Sequence, residues 1–184
     1  MYIVGKQPVN IVSEVRDLGV IVDPALKFNS HINYIVAKAN TCASIIHKCF
    51  LSHNPNVMLR AFKIYVRPLL EYATSDWSRY FSYAIVKIES SQRKFTKRLK
   101  GCKYMDCPTR LSFLNLPSLE RRRLTADLIL TYKIIFGLLD IRMEDYFQLQ
   151  STDDYRTITR GNPYKLLVNY CQTNVQKMSL ANVL

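Results

Sequence analysis

Basic side chains, the residue type that binds anions, are concentrated in one stretch of the chain. The protein carries 26 Lys and Arg against 14 Asp and Glu, a formal net charge of +12. Residues 81–133 hold twelve basic and four acidic residues, whereas residues 134–184 hold five of each. Two-thirds of the excess positive charge therefore lies in 53 residues. This concentration indicates a surface for an anionic partner rather than a general contribution to solubility.

The first basic cluster lies at the end of a predicted helix. Residues 93–103 read RKFTKRLKGCK, with six basic residues and no acid. Helical geometry predicts two adjacent basic rows, Arg93, Lys97 and Lys100 in one and Lys87, Lys94 and Arg98 in the other, with Lys103 beyond them. The apolar residues Ile88, Phe95 and Leu99 point elsewhere. Cations at a helix C-terminus also complement the helix dipole, so a merely solvated face is the alternative.

The second basic cluster, Arg121, Arg122 and Arg123, falls in the first turn of another predicted helix. The helix dipole disfavours cations there, and only Glu120 and Asp127 are near enough in sequence to offset them. A helix N-terminus is also a phosphate-binding geometry. Together the clusters favour nucleic acid as the ligand, with an acidic protein or a membrane surface as alternatives.

Residue patterns for catalysis or metal binding are sparse. His31, His47 and His53 have no Cys or acidic neighbour at a metal-site spacing, and the pair Cys102 and Cys107 lacks a second pair. The adjacent acids 153–154 have no flanking apolar strands and are typical of a loop rather than a two-metal site. The chain also has no Gly-rich phosphate loop. We therefore predict no catalytic residue, metal or cofactor, and an independent hydrolase would need a nucleophile and base that the pattern does not show.

The elements that must position the basic residues are mostly helical. Alternating apolar residues between Val9 and Val22 predict a short β-hairpin. Apolar residues at three- and four-residue steps predict helices over about 30–50, 58–73, 82–100, 109–114 and 119–139. Pro68 predicts a kink near Tyr65 in the second of these helices, and Gly101 is expected to cap the third. Cys42 and Cys49 are predicted to be core thiols on the first helix.

These elements predict a mainly α protein. The expected architecture is an antiparallel helical bundle with a short N-terminal β-hairpin and an irregular C-terminal tail. Five cysteines, an odd number, argue against a secreted disulfide scaffold, and the N-terminus lacks a signal-peptide pattern. The longest nearly apolar stretch is too short to span a bilayer. We expect a soluble, intracellular chain in the nucleus or the cytoplasm, with no membrane partner.

An ordered series of segments resembles a known family. The segments are RDLGV at 16–20, YVRPLLEY at 65–72 followed by Trp77, ESSQRKFTKR at 89–98, LNLPSLERRR at 114–123, DLI at 127–129, TYK at 131–133 and TRG at 159–161. In this order, over nearly the whole chain, they resemble the C-terminal part of non-LTR retrotransposon reverse transcriptases of the jockey and CR1 type.

The resemblance implies four segments. Residues 1–27 would be the hairpin at the end of the polymerase palm, with Leu18 and Gly19 at a primer-grip-like position. Residues 28–104 would be a thumb-like helical bundle, 105–147 the following helices, and 148–184 an irregular C-terminal segment. The catalytic acids of that family lie upstream of the residues present here.

The function implied is that of a fragment of an RNA-directed DNA polymerase that lacks a catalytic site of its own. Its basic residues would bind the backbone of a template-primer or an RNA/DNA duplex, and its other partner would be the missing palm. The alternative is a non-functional structural or interaction relic of a mobile-element reading frame, with apolar surface exposed along the first two helices.

Overall fold

The computed structural model describes residues 2–4, 7–9, 12–50, 54–77, 82–147 and 167, with the backbone alone for 2–4 and 7–9. The chain divides into two compact units, Met1–Glu120 and Arg121–Leu184. The boundary lies inside the predicted segment 105–147. The prediction of a mainly α protein is confirmed.

Two antiparallel β-hairpins lie at the N-terminus. Strand β1 (Tyr2–Val4) pairs with β2 (Gln7–Val9), and β3 (Val15–Asp17) pairs with β4 (Val20–Val22). The second hairpin is the predicted one, whereas the first, which contains Val9, was not predicted. The two-residue turn of the β3–β4 hairpin has positive φ at both Leu18 (44°) and Gly19 (91°). Positive φ at both positions matches a type I′ turn, whose twist suits a tight hairpin.

Helix α1 (Asn29–Cys49) buries the apolar stripe that its sequence predicts, from Ile32 to Ile46. The approach to the helix is held by Asp23, whose carboxylate accepts hydrogen bonds from the backbone N–H groups of Ala25, Lys27 and Phe28. Burial raises the pKa of Asp23, but these hydrogen bonds outweigh it and leave that pKa below its ordinary value. Cys49 is exposed and Cys42 half-buried, so the prediction of two core thiols is wrong.

The second predicted helix consists of three helical segments: α2 (Pro55–Ala61), a π-helix (Phe62–Val66) and α3 (Arg67–Glu71). Asn54 caps α2 through a hydrogen bond from the N–H of Asn56 at 3.0 Å. In the π-helix, the Arg67 N–H donates to the Phe62 carbonyl five residues back. Pro68 has no N–H, and its ring would clash with a regular α turn, so the wider turn just before it accommodates the ring. The irregularity expected near Tyr65 is therefore a π-helical segment.

The short α4 (Thr74–Trp77) precedes α5 (Ser82–Lys97). The segment from α2 to α4 runs antiparallel to α1, because Met58 and His47, near the end of α1, line one cavity, and the Trp77 ring contacts that of His31 near the start of α1. Helices α1 and α5 run side by side in the same direction, because the Tyr83 hydroxyl bonds to Asn29 at their starts and the His47 ring lies 4.5 Å from that of Phe95 near their ends. This up-down-up arrangement confirms the predicted antiparallel bundle.

After α5 the chain turns back over it. Helix α5 ends at Lys97, three residues earlier than predicted, and Gly101 follows with φ 82°. Helix α6 (Cys107–Phe113) begins two residues earlier than predicted, because Asp106 caps it and Pro108 sits in its first turn, where no N–H is needed. The Gln92 side-chain amide donates to the Pro117 carbonyl at 3.0 Å and anchors the following loop on α5.

Helix α7 (Leu119–Ile135) begins at the end of the first unit and continues into the second. It ends before the predicted Leu139 because Gly137 adopts a positive φ of 63°. The Leu138 N–H donates to the Lys133 carbonyl and the Gly137 N–H to that of Ile134, which forms a Schellman cap. A 3-10 turn (Met143–Asp145) follows. The predicted loop acids 153–154 and most of the predicted C-terminal segment lie outside the described residues.

Candidate nucleic-acid interface

The C-terminal half of α5 and the turn after it present a surface of exposed cations, which we call the basic ridge: Arg93, Lys94, Lys97, Arg98, Lys100 and Lys103. On the opposite side, Ile88 and Phe95 of α5 and Leu99 of the turn are buried in the core. The predicted separation of a basic face from an apolar underside is therefore present. Among the described residues, no carboxylate forms an ion pair with a ridge cation.

Lys87, predicted to belong with these cations, has a more specific role. Its ammonium group donates a hydrogen bond to the side-chain oxygen of Asn33 on α1. One turn earlier, the Tyr83 hydroxyl donates to the side-chain oxygen of Asn29. These two bonds tie the first half of α5 to α1, so Lys87 helps to fix the helix that carries the ridge.

A buried arginine forms a hydrogen bond with α5, the helix that carries the ridge. Arg110 of α6 is 2% exposed, its Nε donates to Thr96 Oγ1 at 3.0 Å, and its Nη1 donates to the Met105 carbonyl at 2.8 Å. The Thr96 hydroxyl in turn donates to the Gln92 carbonyl at 2.8 Å. Local charge counting could not distinguish this structural arginine from the surface cations, because its burial depends on the packing of α6 on α5.

An exposed aromatic side chain extends the ridge. Tyr104 is 92% exposed, and the Lys103 ammonium lies 5.4 Å from the centroid of its ring. Exposed aromatic rings beside cations are the arrangement on which single-stranded bases stack. Tyr104 was not among the predicted site residues, although its position directly after the cluster of six basic residues could have identified it as one.

The three arginines at the start of α7 differ in exposure. Arg121 is exposed, Arg122 is half-buried and Arg123 is 5% exposed. Burial raises the pKa of Asp127 above its ordinary value, and the nearby Arg123 opposes this rise. Because phosphate contacts require an accessible guanidinium, burial argues against the predicted surface role of Arg123.

The N-terminus of α7 has an internal anion. The carboxylate of Glu89, on α5, accepts a hydrogen bond from the backbone N–H of Glu120 at 2.8 Å. Glu89 is thirty-one residues away in sequence, so this interaction was not predicted. The free N–H groups of a helix N-terminus attract anions, and one of those of α7 is already satisfied by a side chain of the protein.

The predicted primer-grip-like residues form the turn of the β3–β4 hairpin. The Leu18 side chain is 85% exposed, and its carbonyl oxygen accepts a hydrogen bond from the Tyr72 hydroxyl at 2.9 Å. Gly19 lies against the ring of the same tyrosine. The turn is therefore fixed to the end of α3, with its apolar side chain directed to solvent.

Two small cavities lie beside the ridge. The larger, of 180 Å³, opens between α1 and α5, and the smaller, of 110 Å³, is lined by His47, Met58, Arg98 and Leu99. His47 and Arg98 line both. Within the described ranges, no three His, Cys, Asp or Glu residues are grouped as metal ligands would be. Of the helices the structure describes, none combines the length and apolar character needed to cross a membrane.

Comparison with known proteins identifies a distant relative. The chain is 25% identical over 132 residues to an uncharacterized protein of Caenorhabditis elegans, B0403.1. The match covers 68% of this chain and 65% of that protein, so the chain spans less than two-thirds of the relative's length. No protein-family model matches the chain. No solved structure matches it significantly.

Proposed function

We propose that this chain binds the phosphate backbone of nucleic acid through the basic ridge, as a thumb-like fragment of a non-LTR retrotransposon reverse transcriptase without its own catalytic site. The observation that carries the proposal is the ridge itself: six exposed cations that form no ion pair with a described carboxylate. The ordered sequence resemblance supports the thumb-like assignment. Contacts of this kind would not depend on base sequence, because phosphates carry no sequence information.

The rigidity of the ridge supports the same function. The helix that carries it is fixed to α1 by Lys87 and to α6 by the Thr96–Arg110 hydrogen bond. Cations held on a packed helix lose less conformational freedom on binding than cations on a free tail, so more of the interaction energy appears as affinity. A fixed row of positive charge suits a regular polyanion such as a template-primer duplex.

Charge-reversal variants test the proposal. The ridge variant R93E/K97E/K100E changes three exposed residues of one row. The control variant K27E/K38E/R60E makes the same net charge change at three exposed residues elsewhere in the first unit. Affinity for a labelled RNA/DNA primer-template is measured by fluorescence anisotropy at about 100 mM salt. We expect the ridge variant to bind at least about tenfold more weakly than the wild type, and the control to retain most of its affinity.

Equal losses in both variants would show that affinity follows net charge and would overturn the assignment to the ridge. Equal affinity of the wild type and the ridge variant would also overturn it. Thermal unfolding monitored by circular dichroism checks that both variants fold, because an acid in the last turn of a helix costs a few tenths of a kcal/mol.

The alternative proposal, a structural or interaction relic, is favoured by exposed apolar side chains. Ile45 on α1 and Ile64 and Tyr65 on the π-helix are each more than half exposed. Such a surface would promote self-association of the isolated chain. Sedimentation velocity over a range of concentrations tests this alternative, and a monomer that unfolds cooperatively would argue against it.

A further inference from the structure

Most of the residues that line the cavity of 180 Å³ between α1 and α5 have polar or charged side chains. Each helix contributes polar residues at spacings that place them on one face, three or four residues apart. The polar lining residues are Asn40, Ser44 and His47 from α1, and Ser91, Lys94 and Arg98 from α5 and the turn directly after it. None of the residues lining the cavity is acidic.

Ser91 is the informative member of this set. Its side chain is 1% exposed, and its Oγ has no hydrogen-bond partner. Buried hydroxyl groups nearly always have a partner, and a serine within a helix can usually reach a carbonyl of the preceding turn. The neighbouring Ser90 does so, with its Oγ 2.6 Å from the Lys87 carbonyl. Ser91 also lines the cavity, so an oxygen atom of a ligand bound there could accept the hydrogen bond that its hydroxyl does not make within the protein.

The charges at the cavity specify the ligand. Lys94, in the last turn of α5, and Arg98, in the turn directly after it, are exposed and form no ion pair with a described carboxylate. An ammonium, a guanidinium and hydroxyl donors converging on one space are the groups that bind phosphate oxygens. Pockets for drug-sized ligands are about 300–1,000 Å³. A cavity of 180 Å³ is smaller and suits a single phosphate group.

We propose that this cavity binds the terminal phosphate of a nucleic-acid strand whose backbone continues along the basic ridge. A terminal phosphate is linked to the strand through one ester bond, so it can enter the cavity as far as Ser91. An internal phosphodiester is linked to the strand on both sides, and the cavity would have to admit both of these connections. A phosphate monoester also carries close to two negative charges at neutral pH, which matches the two cations. The choice of a strand as the source rests on the proposed function, and free phosphate offers the same chemistry.

The experiment compares three otherwise identical duplexes: one with a 5′-phosphate, one with a 3′-phosphate and one with hydroxyl ends only. We expect the wild type to bind one phosphorylated duplex at least about fivefold more tightly than the hydroxyl-ended one. Ser91→Ala removes the hydroxyl without adding bulk and should abolish this preference. Ser90→Ala is the matched control on the neighbouring residue and should preserve it.

Inorganic phosphate identifies the source of the ligand. It is titrated into wild type and Ser91→Ala while the amide signals of residues 44, 91 and 94 are followed by NMR. If it perturbs these signals in the wild type alone and no end preference exists, the cavity binds free phosphate, and the strand as source is overturned. If wild type shows neither an end preference nor a perturbation, or if Ser91→Ala behaves as wild type, the phosphate site is overturned.

The results that would overturn the phosphate site differ from the results that would overturn the proposed function. Ser91→Ala should bind the hydroxyl-ended duplex as the wild type does, because the ridge residues are unchanged. R93E/K97E/K100E alters residues outside the cavity lining and should lose affinity for all three duplexes. Loss of the end preference alone therefore concerns the cavity, and loss of binding to every duplex concerns the ridge.

Discussion

The hydroxyl of Tyr72 donates a hydrogen bond to the carbonyl oxygen of Leu18 at 2.9 Å, across fifty-four residues of sequence. This bond joins the turn of the β3–β4 hairpin to the end of α3. The two residues belong to separate segments of the sequence resemblance, one at its start and one in its second block. Their contact places the predicted primer-grip-like turn on the helical bundle instead of leaving it as an independent hairpin.

Replacement of Tyr72 by Phe should loosen the hairpin. The change removes the hydrogen bond and little else, so we expect the free energy of unfolding to fall by about 0.5–1 kcal/mol, at the lower end for a partly exposed bond. Amide hydrogen exchange in β3 and β4 should accelerate. Tyr65→Phe removes a hydroxyl that forms no hydrogen bond within the described residues and is the control. Equal exchange rates in the two variants would contradict a role for the Tyr72 bond.

Leu18→Asn should stabilise the protein. Leu18 has a φ of 44°, and its side chain is 85% exposed. A left-handed backbone costs an ordinary residue about 1–2 kcal/mol, whereas Asn adopts it more readily. With no packing to lose, the free energy of unfolding in urea should rise by about 0.5–1 kcal/mol. Val12→Asn changes an exposed residue without a positive φ and should not stabilise, and a destabilised Leu18→Asn would show that the turn is not strained.

Stability should fall as the pH decreases through the range in which histidine titrates. His31 is 1% exposed, its Nδ1 accepts a hydrogen bond from the Ile21 N–H at 3.3 Å, and its ring contacts that of Trp77. Burial, and secondarily the nearby Arg16, lower the pKa of His31 below its ordinary value. Below about pH 6.5, this histidine binds a proton more readily in the unfolded chain than in the folded chain. Protonation therefore favours unfolding, and the free energy of unfolding falls as the pH decreases further.

His31→Asn isolates the effect of this titration, because the new amide side chain does not titrate and its oxygen can still accept the hydrogen bond from the Ile21 N–H. The free energy of unfolding is measured in urea at pH 7.5 and pH 5.5 for both proteins. We expect the wild type to lose more stability than the variant over this interval. The carboxyl of Asp127, whose pKa is raised, acts in the opposite direction and is common to both proteins. Parallel pH profiles would exclude His31 as the cause.

Thr96→Val should destabilise the end of α5. The substitution keeps the shape of the side chain but removes the Oγ1 that accepts from the buried Arg110 Nε. An unsatisfied buried donor costs about 1–3 kcal/mol. In the background of Arg110→Met the same substitution should cost clearly less, since no donor is left without a partner. Urea unfolding of the four proteins measures the coupling, and strictly additive losses would contradict it.

The face of α5 could be predicted because it depends on local periodicity. Ile88, Phe95 and Leu99 recur at helical steps, and packing buries them while the intervening cations are exposed. The β3–β4 turn was also predictable from Gly19 between alternating apolar residues. The end of α5 was placed three residues too late, because the final residues form a tight turn that a basic helical pattern does not reveal.

The features that could not be predicted depend on contacts between distant segments. The burial of Arg110, the carboxylate of Glu89 at the start of α7 and the unpartnered hydroxyl of Ser91 each arise when separate elements pack together. From sequence spacing alone, Arg110 cannot be distinguished from a surface cation, nor Ser91 from an ordinary helical residue. The π-helix at Phe62–Val66 likewise depends on how the chain accommodates Pro68 within the bundle.

The salt dependence of duplex binding tests the central claim most directly. Affinities of the wild type and of R93E/K97E/K100E for one RNA/DNA primer-template are measured at several salt concentrations between about 50 and 200 mM. If the ridge contacts phosphates, a plot of log affinity against log salt should be steep for the wild type. Its slope should be shallower by about two to three in the variant, close to one unit for each lost phosphate contact. Identical slopes for the two proteins would contradict the claim.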